Sequence, residues 1–181
     1  CTAGIEIGVT ASEVSEVSGD TYRAALRRHP AGVGVITLMS DGGPVGFTAT
    51  SLSSLSLEPP LVCFNITETS SSIAALRGAT SVVVHILGEH QLDVARRFSR
   101  TAELRFVDPQ SWSALDTGEP VLTGTPTWLR TELQQLIPAG DSTLVIGRVT
   151  RIHCDDHDGA IPAPLIYHNG AFLGTTELSE S

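Results

Sequence analysis

Apolar residues in this chain fall in short runs separated by turn chemistry, the pattern of a protein built mainly from strands. Val33-Gly34-Val35-Ile36-Thr37-Leu38 reads as a strand that enters the turn Ser40-Asp41-Gly42-Gly43-Pro44, and residues 45–50 return as its partner. A serine-rich stretch follows and ends at Pro59-Pro60, after which residues 61–66 read as a buried strand. Ser70-Ser71-Ser72 precedes Ile73-Ala74-Ala75-Leu76, a short helix with a hydroxyl-rich entrance. Val82-Val83-Val84-His85-Ile86-Leu87 is another buried strand. The spacing of Leu92, Ala95 and Phe98 predicts a helix over residues 91–100. Residues 101–120, with Pro109, Gly118 and Pro120, read as a long connection. Strands are predicted at 127–137, 143–152 and 165–168, with a short partner at 171–173.

The chain start reads differently. Residues 1–19 are poor in large apolar groups and repeat Ser12-Glu13-Val14 as Ser15-Glu16-Val17, so a flexible arm is expected there. Structure is expected to begin at Asp20 as an N-cap, with Tyr22, Ala25 and Leu26 at helical spacing and Pro30 closing the helix. The expected organisation is an arm at 1–19, one domain at 20–174 and a tail at 175–181. Many strands with few short helices fit a closed or nearly closed antiparallel barrel and exclude a regular doubly wound sheet.

Composition narrows the chemistry. A chain of 181 residues fits one domain with room for a core and a ligand pocket. All 11 positive charges are arginine, which excludes a P-loop and any lysine Schiff base. A net charge of −9 leaves no basic field for nucleic acid. Cys1, Cys63 and Cys154 form no CxxC pair, so neither a disulfide framework nor a zinc knuckle is indicated, and a reducing cytoplasm is expected. No apolar run approaches the roughly 18 residues of a membrane helix. The first nineteen residues lack the charged start of a signal peptide, and Cys1 in place of Met suggests numbering that begins inside a longer product.

Four constellations carry possible chemistry. From Gly46 to Pro60, Thr48, Thr50 and Ser51 put small hydroxyls and bare backbone where barrel bulk is expected. Such a wall suits a flat polar ligand, or it is a strand whose hydroxyls face water. Thr69-Ser70-Ser71-Ser72 at a helix start is either a phosphate site or plain N-capping; Arg77 and Arg96-Arg97 could neutralise a phosphate or simply be solvated. Leu165-Ile166-Tyr167-His168-Asn169-Gly170 ends a strand in a histidine that either meets a substrate or is structural. His153-Cys154-Asp155-Asp156-His157-Asp158-Gly159 matches no metal-ligand spacing and reads as an exposed acidic turn, with no metal expected. Gly32-Val33-Gly34 lacks the third glycine of a dinucleotide fingerprint, because Thr37 stands there, and no GxSxG elbow exists.

The ordered segments resemble the flavin reductase-like family, the FMN-binding split barrels that serve two-component flavin monooxygenases. The resemblance is carried by Tyr22-Arg23-Ala24-Ala25-Leu26 with Gly32-Val33-Gly34-Val35-Ile36-Thr37, and by Gly46-Phe47-Thr48-Ala49-Thr50-Ser51 with Ser54-Leu55-Ser56-Leu57-Glu58-Pro59-Pro60-Leu61-Val62. Ser70-Ser71-Ser72, Ala95-Arg96-Arg97-Phe98, Ala139-Gly140-Asp141 with Gly147-Arg148-Val149, and Pro164-Leu165-Ile166-Tyr167-His168-Asn169-Gly170 complete it. No single motif decides it; the ordered set does.

The resemblance implies a mainly β fold, a Greek-key split barrel with a few flanking helices, assembled as a homodimer with flavin in a groove near the interface. It implies that Thr48, Ala49, Thr50 and Ser51 lie along the flavin ring and ribityl chain. Asn65, Ser70 and Ser72 would approach the ribityl and phosphate, Phe98 would pack beside the flavin or a nucleotide, and His168 would face the nicotinamide as the catalytic residue. The implied activity is hydride transfer from NADH or NADPH to FMN, with FAD possible, and delivery of reduced flavin to a partner monooxygenase. A flavin carrier or sensor without turnover is the alternative. Many members have histidine after the Gly-Asp pair; here Ser142 follows Gly140-Asp141.

Overall fold

Strand β2 (Gly34–Ser40) is buried on both faces over most of its length, and that decides the architecture around it. Ile36 and Leu38 point to one side and Val35 and Thr37 to the other, the period-two alternation of a strand, so each face needs its own cover. The computed structural model describes residues 17–155 and 161–176. The expectations for residues 1–16, for the acidic turn from Asp156 onward and for most of the C-terminal tail lie outside the described residues.

The inner face of β2 belongs to a seven-stranded antiparallel sheet. Its order is β3 (Gly43–Ala49), β2, β6 (Ser81–Ile86), β9 (Thr127–Ala139), β10 (Ser142–Cys154), β5 (Pro60–Thr67) and β4 (Ser53–Leu57). The sheet curls, because Phe47 on β3 and Phe64 on β5 approach across the interior with ring centroids 6.2 Å apart. Ile36, Leu38, Val82, Val84 and Val145 fill the space between them, and Ile73 and Leu76 of α2 (Ile73–Gly78) pack against the same core. Edge strands β3 and β4 share no ladder, so the barrel remains split. Register shifts at Ile146/Gly147 and Val149/Arg151 bend the long β9–β10 hairpin around the core.

The outer face of β2 is covered by α3 (Leu92–Phe98). Ala95 and Phe98 pack with Val33, Val35, Leu87, Leu122 and Leu165. His85 pins this layer: its Nδ1–H donates to the Val35 carbonyl at 3.1 Å, and its Nε2 accepts the Leu122 N–H at 3.0 Å. Burial pushes the imidazole down to about 4, so it is neutral at pH 7. Leu122 ends β8 (Pro120–Leu122), which pairs with β7 (Trp112–Ala114).

Local detail departs from the sequence pattern at three places. Helix α1 (Gly19–Leu26) is capped by Ser18, whose Oγ accepts the Thr21 N–H, while Asp20 sits in the first turn. The serine-rich stretch is strand β4, because β5 offers it a pairing edge. The 101–120 connection contains β7. β1 (Ala31–Gly32), β11 (Ile166–His168) and β12 (Ala171–Leu173) form a separate three-stranded sheet beside α1.

Candidate functional site

A groove runs along the split, where β3 leaves the sheet and faces β5. Its first basin, about 470 Å³, is walled by Phe47 to Ser51, Asn65 to Thr67, Thr69 to Ser71, Phe98, Ser99 and Arg105. Strand alternation explains the wall. Phe47 and Ala49 turn into the core, leaving Thr48 toward α3, where its Oγ1 lies 3.2 Å from Ser99 Oγ and donates to the Ala95 carbonyl at 3.4 Å. Ser51 Oγ accepts the Asn65 N–H at 2.9 Å and bridges the gap that no ladder closes. The Asn65 carboxamide has no hydrogen-bond partner among the described residues and is exposed at this junction.

One end of the basin is cationic. Arg105 uses four of its five N–H groups on neutral oxygens: Nε and Nη2 donate to the Arg100 carbonyl at 3.2 and 2.8 Å, and Nη1 donates to Gly46 O at 2.6 Å and Ser72 Oγ at 3.3 Å. Burial lowers its pKa from the ordinary value, yet a guanidinium remains charged. The remaining Nη2 hydrogen has no protein acceptor among the described residues. A half-buried cation whose hydrogen-bond partners are all neutral, with Glu103 as its carboxylate neighbour, stands beside Thr69, Ser70, Ser71 and Ser99, an arrangement that can receive an anion. Arg105 carries no local sequence signal. Its place is set by Phe106, which packs edge-on against Phe98 at 5.2 Å and Trp112 at 5.6 Å.

The other candidate cations lie elsewhere. Arg77 holds the Glu68 carboxylate at 2.7 and 2.8 Å. Thr143 and Arg77, in that order of weight, keep this carboxyl below its usual range, which ties the acid between the ends of β5 and β10. Arg96 and Arg97 line a separate depression with Arg100 and Leu104. Ser72 is buried, with its Oγ turned to Arg105, and it does not cap α2; Ser70 Oγ instead accepts the Ser72 N–H at 3.2 Å. Phe98 is 1% exposed and serves the core while its ring edge floors the basin.

A second basin, about 730 Å³, continues from the first through shared residues Thr50, Ser51 and Asn65. Its far wall comprises Arg23, Leu26, Arg27 and His29 near α1 and Tyr167, Asn169 and Gly170 at the β11–β12 turn. His168 is half-buried between Tyr167 and Asn169 and is not itself part of the lining. Ser142 opens β10 opposite Thr67 and donates to Asp141 Oδ1 at 3.0 Å. Among the described residues no group of three or more His, Cys, Asp or Glu is placed to hold a metal. The arrangement therefore offers a cation with a spare N–H, a slot walled by small hydroxyls and a larger polar basin, and no nucleophile paired with a base among the described residues.

A family model described as "Flavin reductase like domain" matches residues 26–176. The chain belongs to this family. An NADH:FMN oxidoreductase of Rhodococcus qingshengii is 58% identical to this member over 175 residues, covering 97% of this chain and 91% of that protein. A "Flavin-dependent monooxygenase, reductase subunit HsaB" of Rhodococcus jostii (strain RHA1) is 33% identical over 172 residues, covering 89% and 86%. The crystal structure of a flavin reductase domain protein from Arthrobacter sp. FB24 superposes with a TM-score of 0.82 at 35% identity, covering 89% of this chain and 98% of that one. The flavin reductase fold is thus the split barrel described above. Its groove fits a flavin mononucleotide: Arg105 and the adjacent hydroxyls suit one phosphate, and the Thr48–Ser51 segment leaves room for a flat ring system.

Proposed function

We propose that this protein is an NADH-dependent flavin reductase that takes FMN in the groove and passes reduced flavin to a partner monooxygenase. The observation that carries the reading is the pairing of one cation with a spare N–H, Arg105, with a slot of small hydroxyls that opens into a second basin. One ligand anchored by a single phosphate leaves room for another ligand beside it. The names of the Rhodococcus relatives support NADH, FMN and a monooxygenase partner. FAD would have to carry its second phosphate past Arg105.

Flavin, when bound, supplies the hydride-accepting chemistry, so the chain itself needs no general acid or base for that step. Its residues bind and orient. Arg105, Ser70 and Ser71 hold the phosphate; Thr48, Ala49, Thr50 and Ser51 border the ring and ribityl chain; Asn65 offers its free carboxamide at the junction of the two basins. Phe98 keeps the floor rigid. Ser72 acts through Arg105 by accepting its hydrogen bond. His168, between Tyr167 and Asn169 and outside the lining itself, is the residue assigned to the nicotinamide. Turnover lost with FMN binding kept in His168→Ala supports that role, and unchanged turnover removes it.

The homodimer belongs to the same proposal. Leu55 and Leu57 on edge strand β4 are exposed, Leu57 at 89%, and an apolar edge of this kind is a surface for a second copy to cover. No helix among the described residues is long and apolar enough to cross a membrane; a reaction that draws on NADH fits a cytoplasmic protein. Purified protein mixed with FMN and NADH is expected to consume NADH at a rate that depends on FMN. Flavin binding without oxidation of NADH or NADPH would favour a carrier.

A further inference from the structure

The loop that offers Ser70 and Ser71 to a phosphate needs an anchor that its own bonds do not supply. It leaves β5 at Thr67, where the ladder with β10 ends at the Thr67–Ser142 pair, and it enters α2 at Ile73. Within the loop the Ser70 N–H donates to the Thr67 carbonyl at 3.0 Å. The Ser72 N–H donates to Ser70 Oγ at 3.2 Å, and the Ile73 N–H to the Ser70 carbonyl at 3.2 Å. These bonds curl the loop on itself without tying it to the sheet. Helix α2 has six residues and no side-chain cap, so Ile73 and Leu76 seat it in the core but little fixes its outer side.

Glu68, the first residue past the ladder, supplies the tie. Its N–H donates to the Asp141 carbonyl at 2.9 Å. Thr143, buried on β10, donates its hydroxyl to Glu68 Oε1 at 2.5 Å, which gives that buried group an acceptor. Arg77, in the last turn of α2, reaches back with Nη2 to both carboxylate oxygens at 2.8 and 2.7 Å. One carboxylate therefore joins β10 to both ends of the segment that carries Thr69 to Ser72. The Arg77–Glu68 pair is partly exposed and adds little to folding stability; what it fixes is position. It also offsets a negative charge that would otherwise stand two residues from Ser70 and repel a phosphate. On the other side of the loop Ser72 Oγ accepts Arg105 Nη1 at 3.3 Å, so loop and cation are set relative to each other.

We propose that Glu68 is a positioning residue for flavin mononucleotide: with Arg77 and Thr143 it fixes the Thr69–Ser72 loop against Arg105, so that Ser70, Ser71 and the guanidinium converge on one phosphate. This rests on the reading of the groove as the flavin site. Glu68 acts through the loop and touches no ligand itself.

The test compares FMN with riboflavin, which lacks the phosphate, by quenching of flavin fluorescence. Glu68→Gln combined with Arg77→Met leaves the net charge unchanged, keeps an acceptor for Thr143 and removes the link to α2. The ratio of FMN to riboflavin affinity is expected to fall about fivefold in this double variant, the loss of one ordinary hydrogen bond to the phosphate. KM for FMN rises by a similar factor, while kcat and KM for NADH hold. Arg77→Met alone bares the Glu68 carboxylate and lowers the ratio further. Arg77→Lys stays near the parent, because a single nitrogen makes both contacts and an ammonium can replace it. Should the double variant fail to fold, Arg77→Met, changed at an exposed side chain, carries the test. A parental ratio in a folded variant overturns the proposal, and so does an equal fall for FMN and riboflavin, which marks a merely structural role. A parent that binds riboflavin as tightly as FMN refutes the phosphate site itself, and the proposal falls with it.

Discussion

Replacing Arg105 by methionine removes the anion receptor while keeping most of the side chain's length. The parent guanidinium spends four N–H groups on Gly46, Ser72 and Arg100 and keeps one for a ligand. A hydrogen bond from a charged group contributes about 1.5–3 kcal/mol, so FMN is expected to bind roughly 10- to 150-fold more weakly. Riboflavin has the same ring and ribityl chain but no phosphate, and its affinity is expected to change little. The substitution also leaves Gly46 O and Ser72 Oγ without their donor, at a cost of about 1–3 kcal/mol in stability. Urea unfolding measures that loss separately, and the ratio of FMN to riboflavin affinity cancels any general loosening of the groove. Arg105→Lys keeps the charge without the fork and should fall between parent and methionine. Quenching of flavin fluorescence gives both dissociation constants. Parallel weakening of FMN and riboflavin, or an unchanged FMN constant, would refute the assignment of Arg105 to the phosphate.

Three further substitutions test the supporting structure. His85 titrates near 6.5 when unfolded and about 4 when folded, so the unfolded chain binds the extra proton; stability is therefore full above pH 6.5 and falls by about 3 kcal/mol as pH drops toward 4. Thermal unfolding of His85→Gln should lose that dependence between pH 6.5 and 4.5, and an identical slope in the variant sinks the assignment. A methyl group at Gly46 would stand 2.6 Å from Phe98 Cε1 and 3.1 Å from the Ile36 carbonyl, so Gly46→Ala should cost about 1–3 kcal/mol and weaken FMN by shifting the groove floor. Arg130 pairs at 2.9 Å with Glu119, which is almost fully buried; Arg130→Met should cost about 3–5 kcal/mol in chemical denaturation, and a cost below 1 kcal/mol contradicts the pairing.

Strand content was legible wherever apolar runs meet turn residues. The β2–β3 hairpin followed from Val33 to Leu38 and the turn through Gly42-Gly43-Pro44, because both signals are local. Strand β4 was hidden, since an edge strand exposing Leu55 and Leu57 has no buried face to mark it, and its pairing is dictated by β5. The hydroxyl wall at Thr48 to Ser51 could be picked out because small residues in a barrel strand are unusual. Ser18 displaced Asp20 as the cap for a geometric reason: only Ser18 presents an oxygen to the Thr21 N–H. The cation at the phosphate end was not legible. Arg77 and Arg96-Arg97 were nearer in sequence to the serines or the helix, whereas Arg105 arrives through a fold-back anchored by Phe106 on Phe98 and Trp112. His85 lay inside an apolar run, and its role depends on Val35 and Leu122, which sequence distance separates from it.

The central claim is that one groove seats flavin and a dinucleotide together for hydride transfer. The most direct measurement is anaerobic mixing of the purified protein with FMN and NADH, following flavin bleaching and NADH loss together. The account predicts one NADH consumed per FMN reduced, at a rate that saturates in both. Tight FMN binding with no bleaching by either NADH or NADPH would contradict it and leave a flavin carrier in its place.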